Sequence, residues 1–365
     1  MASVSFPEQS HLFAQEKEKT GIIIVNLGTP DGTDFLSVRR YLKEFLSDQR
    51  VIEVNPILWK LILNLFILTF RPGKTAKAYK AVWRKDTNES PLRYYTRKQG
   101  EKLKSAFADY HNIEVAWAMR YGQPNIEKAF KDLEKKGCTR LVILSLYPQY
   151  SATTTATVND EVFRCLMKMR RQPTLRIAPP YECHPKYIQA LKNSIITHLK
   201  TLDWKPEKIL VSFHGVPVDY IEKGDPYKVF CERTFHTLQD AMPENAPPLF
   251  LTFQSRFGPR EWLQPYTDKT LEAFAQEGLK KIAVIAPGFA SDCIETLEEL
   301  KIEGCKIFEN AGGTHFTQIP CLNDNSDAID LFTALLKESL GDWINPPSKL
   351  LHLAAAPRGN TCEPQ

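Results

Sequence analysis

The sequence predicts an α/β protein of two similar domains, each built on a parallel sheet, with a functional cleft between them. Three observations carry that prediction. Short β-prone runs alternate with amphipathic stretches along the chain, the pattern of a parallel sheet covered by helices. The two halves repeat the same punctuation in the same order. The first strand of each half stops on Gly-x-Pro, at Gly28-Thr29-Pro30 and at Gly215-Val216-Pro217.

Residues 1–20 carry Glu8, Glu16 and Glu18 and no continuous apolar stretch, so they read as a frayed leader rather than a secretory or transit signal. The first domain is expected over 21–175, with strands at 21–27, 113–119, 140–146 and 175–178 and a helix at 126–136. The second is expected over 176–345, with strands at 208–213, 249–253, 281–286 and 315–319. Helices are expected there at 187–202, 227–242, 267–277 and 326–340, the last placed to pack on the first domain. Residues 346–365 contain Pro and Ala without apolar periodicity and read as a disordered tail.

The repeat has three marks. The first is Gly-x-Pro; the second is Arg120-Tyr121-Gly122, matched with Arg256-Phe257-Gly258. The third is Gly137 ahead of the strand that stops at Pro148, matched with Gly278 ahead of the strand that stops at Pro287. Each mark is a place where the backbone must turn or cannot continue a ladder. The first two marks lie farther apart in the first half, which puts an insertion at about 50–90, at the mouth of the cleft.

That insertion holds an apolar run, 56–72, interrupted by Lys60 and Asn64. It is shorter than the about 20 apolar residues a spanning helix needs. Two readings stay open: a buried core helix, or an apolar lip that dips into a membrane interface. Between Arg71 and Lys104 eleven basic residues face three acidic ones, a segment that would attract an anionic ligand or surface.

The remaining composition is ordinary. A chain of 365 residues with 43% hydrophobic and 25% charged residues is globular, and a net charge of +4 without a basic arm gives no reason to expect nucleic acid. Eight cysteines with no C-x-x-C pair read as reduced thiols in a cytoplasmic protein.

Chemistry concentrates at two strand ends. The run Ile209-Leu210-Val211-Ser212-Phe213-His214 delivers an imidazole to the end of a strand, where open α/β sheets bind ligands. Taken alone, a single histidine is more often a structural turn residue. After the strand at 281–286 comes Ser291-Asp292-Cys293-Ile294-Glu295, where Asp292 and Glu295 have the spacing of a capping box. Glu295, Glu299 and Glu303 then stand four apart, so one helix face carries three carboxylates; a solvated face would tolerate them, and a stripe running from a strand-end cleft to the surface would conduct cations inward or protons outward. An imidazole facing a carboxylate stripe suits a divalent metal of borderline softness, and two ligands from separate elements suit a metal in transit.

These residues resemble the ferrochelatases. The resemblance is carried by Val211-Ser212-Phe213-His214-Gly215-Val216-Pro217 with Lys223-Gly224-Asp225-Pro226-Tyr227. It is carried also by Val25-Asn26-Leu27-Gly28-Thr29-Pro30, Ser90-Pro91-Leu92, Tyr147-Pro148-Gln149-Tyr150-Ser151, Gln254-Ser255-Arg256-Phe257-Gly258-Pro259 and Ser291-Asp292-Cys293-Ile294-Glu295-Thr296-Leu297, in the family order. It implies two Rossmann-like, chelatase-like domains around a porphyrin, and insertion of Fe2+ into protoporphyrin IX to give protohaem with release of two protons. It also implies His214 and Glu295 as the catalytic and metal-facing pair, and Leu27, Arg71, Tyr79, Arg120, Tyr121 and Phe253 as porphyrin contacts; Glu299 and Glu303, on the helix face of Glu295, are then expected to serve as a proton or metal relay.

A planar free-base ring hides its lone pairs, so insertion needs a distorted ring, a proton acceptor and a dehydrated metal. Imidazole changes charge near neutral pH and can take a pyrrole proton or ligate iron, and His214 is expected to be the proton acceptor. The resemblance stops short of a 2Fe–2S cluster. The cysteine that some relatives place after the Tyr-Pro-Gln-Tyr-Ser block is Ala152 here, and the tail offers only Cys362, so iron is expected as substrate and no cofactor as a resident. The expected partners are protoporphyrin IX, ferrous iron and a membrane surface met through 56–72, in a monomer or homodimer attached peripherally in the cytoplasm. Coproporphyrin, another metal, and a carrier that binds without inserting remain alternatives.

Overall fold

A computed structural model describes residues 18–344. The first half runs β1 (Lys19–Gly28), α1 (Phe35–Leu46), α2 (Pro56–Ile62), a π-helical turn (Leu63–Ile67), α3 (Leu68–Val82), α4 (Pro91–Ala106), β2 (Ile113–Tyr121), α5 (Ile126–Lys135), β3 (Cys138–Ser145), a second π-helical turn (Ala152–Ala156), α6 (Thr157–Met167) and β4 (Thr174–Ile177). The second half runs α7 (Pro185–Leu199), β5 (Lys208–His214), α8 (Val218–Glu222), α9 (Tyr227–Ala241), β6 (Leu249–Gln254), α10 (Thr267–Gln276), β7 (Lys281–Ile285), a long π-helix (Glu295–Gly304), α11 (Cys305–Asn310), β8 (His315–Gln318) and α12 (Ser326–Leu340). All eight predicted strands are present, with ends that differ by no more than two residues. The end of the expected leader differs, because Lys19 and Thr20 already belong to β1; residues 1–17 and 345–365, with Cys362, lie outside the described residues.

The strands form two parallel sheets of identical order, β2-β1-β3-β4 and β6-β5-β7-β8. Their central strands are apolar on both faces: Ile22, Ile23, Ile24 and Val25 of β1 are fully buried, as are Ile209, Leu210 and Val211 of β5. This is what helices on both sides of a parallel sheet demand, and burial of such side chains stabilises by roughly 1.5–3 kcal/mol each. The glycine that ends the first strand is required by close approach. A Cβ on Gly28 would sit 1.8 Å from the Tyr121 carbonyl oxygen, and one on Gly215 would sit 2.9 Å from that of Gln254.

Register corrects the second mark of the repeat. The Met119 amide donates to the Pro124 carbonyl and the Phe253 amide to the Pro265 carbonyl, at 2.7 and 2.8 Å. Met119 therefore corresponds to Phe253, and Arg120 to Gln254; Arg256 lies two residues beyond, on the outside, paired with Asp268. The π-helices at Ala152–Ala156 and Glu295–Gly304 follow β3 and β7, so the repeat reaches past the strands.

The expected division at 175/176 falls inside β4, which pairs with β3 and keeps the first sheet running to Ile177. Helix α12 packs against α4, β3 and β4 of the first half as well as against α7. Ile22, Ile24 and Val142 share one apolar core with Ile209, Val211, Leu331 and Leu335, so the two halves are fused behind the cleft.

The insertion, together with α1 ahead of it, forms the arm α1 to α3. Its inner side, with Val38, Tyr41, Leu42, Leu63, Leu68 and Tyr79, makes a core of its own. Its outer side exposes Ile57 at 77%, Phe70 at 75%, Leu36 at 67% and Leu65 at 61%. The segment 56–72 is thus no buried core helix; it presents an apolar face to solvent. No described helix is long and apolar enough to cross a membrane.

Candidate active site

His214 ends β5, and Glu295 opens the long π-helix that follows the neighbouring strand β7. Chain connectivity leaves β5 in opposite directions to β6 and to β7, so the two residues flank the topological switch point where open α/β sheets bind ligands. The His214 Nδ1 lies 2.6 Å from the Gly215 carbonyl oxygen. A carbonyl only accepts, so Nδ1 carries a proton, and in the neutral form of the ring the lone pair lies on Nε2. The ring of Phe289 stands 6.4 Å from that of His214, centroid to centroid.

Glu295 is not consumed by a cap. The Asp292 carboxylate accepts from the Thr296 hydroxyl (2.9 Å) and the Asn323 amide (2.7 Å), while the Asp292 amide donates to Asn323. The capping-box spacing is coincidental, and the Glu295 side chain is left to the cleft, where Gly28, Thr29, Tyr79, Ser90, Leu92 and Cys293 line a small pocket with it. Burial pushes the hydroxyls of Tyr41, Tyr79 and Tyr147 up, and for each the negative charge of Glu295 adds to the effect. These neutral phenols form a low-dielectric wall on the first-half side of Glu295.

The carboxylate stripe is graded. In a π-helix the i→i+5 hydrogen bonds widen each turn, so residues four apart fall slightly short of a turn and still share a face. Glu299 is held above the usual carboxylate range by burial, opposed by the Ser255 hydroxyl and by the charge of His214, and reinforced by the charge of Glu295. Glu303 is exposed and paired with Lys306 at 2.7 Å. The stripe therefore runs from the cleft, through a half-buried carboxylate, to solvent.

The expected porphyrin contacts divide. Leu27, Tyr79 and Tyr121 lie in one apolar cluster with Ile294, the neighbour of Glu295. Arg71 is largely buried, stacks on Phe257 at 4.4 Å, and leaves one guanidinium nitrogen buried without a partner among the described residues. Burial alone pushes its pKa down. Arg120 and Tyr121 are bound to each other's surroundings: both donate to Asp48, at 2.6 and 2.8 Å, and Arg120 also donates to the Thr157 carbonyl. They tie β2 to the loop that follows α1 and to the start of α6, so the Arg120 charge is already answered by Asp48. Phe253 is 1% exposed and packs on Phe213 in the core, which leaves no face for a ligand to touch; the aromatic ring beside His214 is Phe289.

Sequence reasoning passed over Phe289, Ser255 and Asp48. Phe289 follows Pro287-Gly288 directly beyond β7, and the strand-end rule that picked out His214 would have found it. Asp48 carries no local signal, because its partners lie more than 70 residues away. Among the described residues no three His, Cys, Asp or Glu side chains converge on a common metal position, so His214 and Glu295 stand as an open pair.

Comparisons with known proteins bear on the family and on the fold. A family model described as Ferrochelatase matches residues 19–340. Proteins named Ferrochelatase from Allorhizobium ampelinum and Rhizobium meliloti are 54% and 52% identical to the chain over 326 residues, 89% of this chain and 95% and 96% of theirs. One from a Bradyrhizobium species is 52% identical over 331 residues, covering 91% of this chain and 94% of its own. Among solved structures, SirB from Bacillus subtilis with Fe3+ superposes with a TM-score of 0.54 at 11% identity, covering 89% of this chain and 97% of that one. The sirohydrochlorin chelatase SirB from Bacillus subtilis subspecies spizizenii in complex with cobalt gives 0.51 at 10%, with the same coverage. At such identity the likeness is one of fold.

Proposed function

The chain belongs to the ferrochelatase family and is a lyase-type metal chelatase that inserts iron into a porphyrin for haem synthesis; on that premise we propose that its porphyrin is protoporphyrin IX and that His214 is the proton acceptor. The observation that carries the assignment is the hydrogen bond from His214 Nδ1 to the Gly215 carbonyl, which reserves Nε2 for a proton. Insertion exchanges two pyrrole N–H protons for one Fe2+ with no change in oxidation state. His214 takes a pyrrole proton on Nε2, and Glu295 faces the metal and the ring. Glu299 and Glu303 carry protons out or bring the metal in along the π-helix face. Arg71, with its buried unpartnered nitrogen, suits a propionate at the rim of the ring, and Leu27 and Tyr79 suit its apolar body.

The exposed apolar face of α2 and α3, flanked by exposed Lys74, Lys77 and Lys80, supports peripheral attachment to an anionic membrane surface, from which an apolar substrate can be drawn. The test is turnover of purified protein with ferrous iron, using protoporphyrin and coproporphyrin side by side and the Soret band as readout. Protoporphyrin is expected to be the faster substrate, and His214→Ala to lower kcat about 10²- to 10⁴-fold. Equal turnover by His214→Ala refutes the assignment of His214, and preferential use of coproporphyrin refutes the assignment of substrate.

A further inference from the structure

Three non-glycine residues adopt left-handed backbone among the described residues: Asn88, Asn323 and Ser255, with φ of 53°, 53° and 65°. Asparagine tolerates that region through its own side chain; serine has no such preference. An observed backbone outlier of this kind points to a role worth the strain. Ser255 is the first residue after β6, and its Oγ donates to Glu299 Oε2 at 2.5 Å. That is the hydrogen bond the Glu299 side chain receives among the described residues. The residue before it, Gln254, accepts from the Ser212 hydroxyl at 2.9 Å and donates to the Glu295 carbonyl at 3.0 Å. The end of β6 thus holds the long π-helix at two successive points, the Glu295 backbone and the Glu299 carboxylate. The left-handed turn at Ser255 is what aims the hydroxyl at the second of these.

We infer that Ser255 is a positioning residue for metal insertion: its strained backbone presents the hydroxyl that fixes the half-buried Glu299 carboxylate in line between Glu295 and the exposed Glu303. The inference rests on the relay role proposed for Glu299. It separates the hydroxyl from the backbone, and substitution can separate them too. Ser255→Gly removes the hydroxyl and fits the left-handed turn; Ser255→Ala removes the hydroxyl and keeps the misfit.

Both variants are expected to lower kcat about tenfold, the low end for a hydrogen bond to a charged group, with the KM for protoporphyrin unchanged. Ser255→Gly is expected to melt above Ser255→Ala, so the better-fitting backbone does not restore activity. Glu299→Ala is expected to be slow, and adding Ser255→Gly to it should slow it no further, because the two act as one unit. Wild-type turnover by Ser255→Gly beside a slow Glu299→Ala overturns the inference and leaves the relay standing. A full additional loss in the double variant overturns it as well. Wild-type turnover by Glu299→Ala removes the relay itself. Should Ser255→Ala fail to fold, Ser255→Gly and the double variant still decide.

Discussion

Replacing Arg71 by Met is expected to make the protein more stable and a poorer binder of its porphyrin. The Arg71 guanidinium is largely buried against the Phe257 ring, and one of its nitrogens has no partner among the described residues. An unsatisfied buried donor costs about 1–3 kcal/mol, and more when it is charged. Stacking on Phe257 returns about 0.5–2 kcal/mol. The balance in the free protein is a destabilisation on the order of 1 kcal/mol, which methionine, of similar length and apolar, would relieve. For a chain of this size that is a rise in Tm of about 2 °C. In the complex the same nitrogen would meet a propionate, and a hydrogen bond between charged groups contributes about 1.5–3 kcal/mol, so the KM for protoporphyrin should rise about 10- to 150-fold. Thermal denaturation without porphyrin and steady-state kinetics with it give both numbers. A variant that melts lower than wild type with an unchanged KM would show that Arg71 is a structural stacking residue, and the reasoning would fail.

Two further outcomes follow from the same structure. Glu299 has its carboxyl pKa raised above the ordinary 4.5 by burial, so the folded state binds its proton more readily than the unfolded chain does. Between 4.5 and the raised value the folded state holds more protons, and stability therefore falls as pH rises through that window. Glu299→Gln should accordingly melt above wild type at pH 7–8 and lose that advantage toward pH 4; a gap that widens on acidification would contradict the assignment. On the arm, Phe66 and Phe70 are exposed at 59% and 75%. If they enter lipid, each Phe→Asp change removes roughly 2 kcal/mol of apolar burial, a loss of about 30-fold in partition onto anionic vesicles. Partition equal to wild type in sedimentation would rule out the lip as the contact.

The fold was legible because its signals are local and repeated. Strands β1 and β5 are unbroken apolar runs that only a sheet covered on both faces can bury, and the Gly-x-Pro stops show where each must end. His214 was legible for the same reason, as the last residue of such a run. The second repeat mark misled because Arg-aromatic-Gly recurs by composition at 256–258, while hydrogen bonding fixes the true match at Gln254. Phe253 misled because a strand residue one place from the end points into the core, and sequence does not show on which side the ligand lies.

The sequence by itself determined the two parallel sheets, their order of elements, and which strand ends carry an imidazole and a carboxylate. Tertiary structure alone decided what those ends meet. It turned Arg120 and Tyr121 toward Asp48, more than 70 residues away, left Arg71 buried without an answering charge, and drew Glu299 under Ser255. The physical reason is range. Periodicity and turn chemistry act over a few residues and are written in the chain, whereas the state of a charged side chain depends on burial and on partners that only the closed cleft brings within reach.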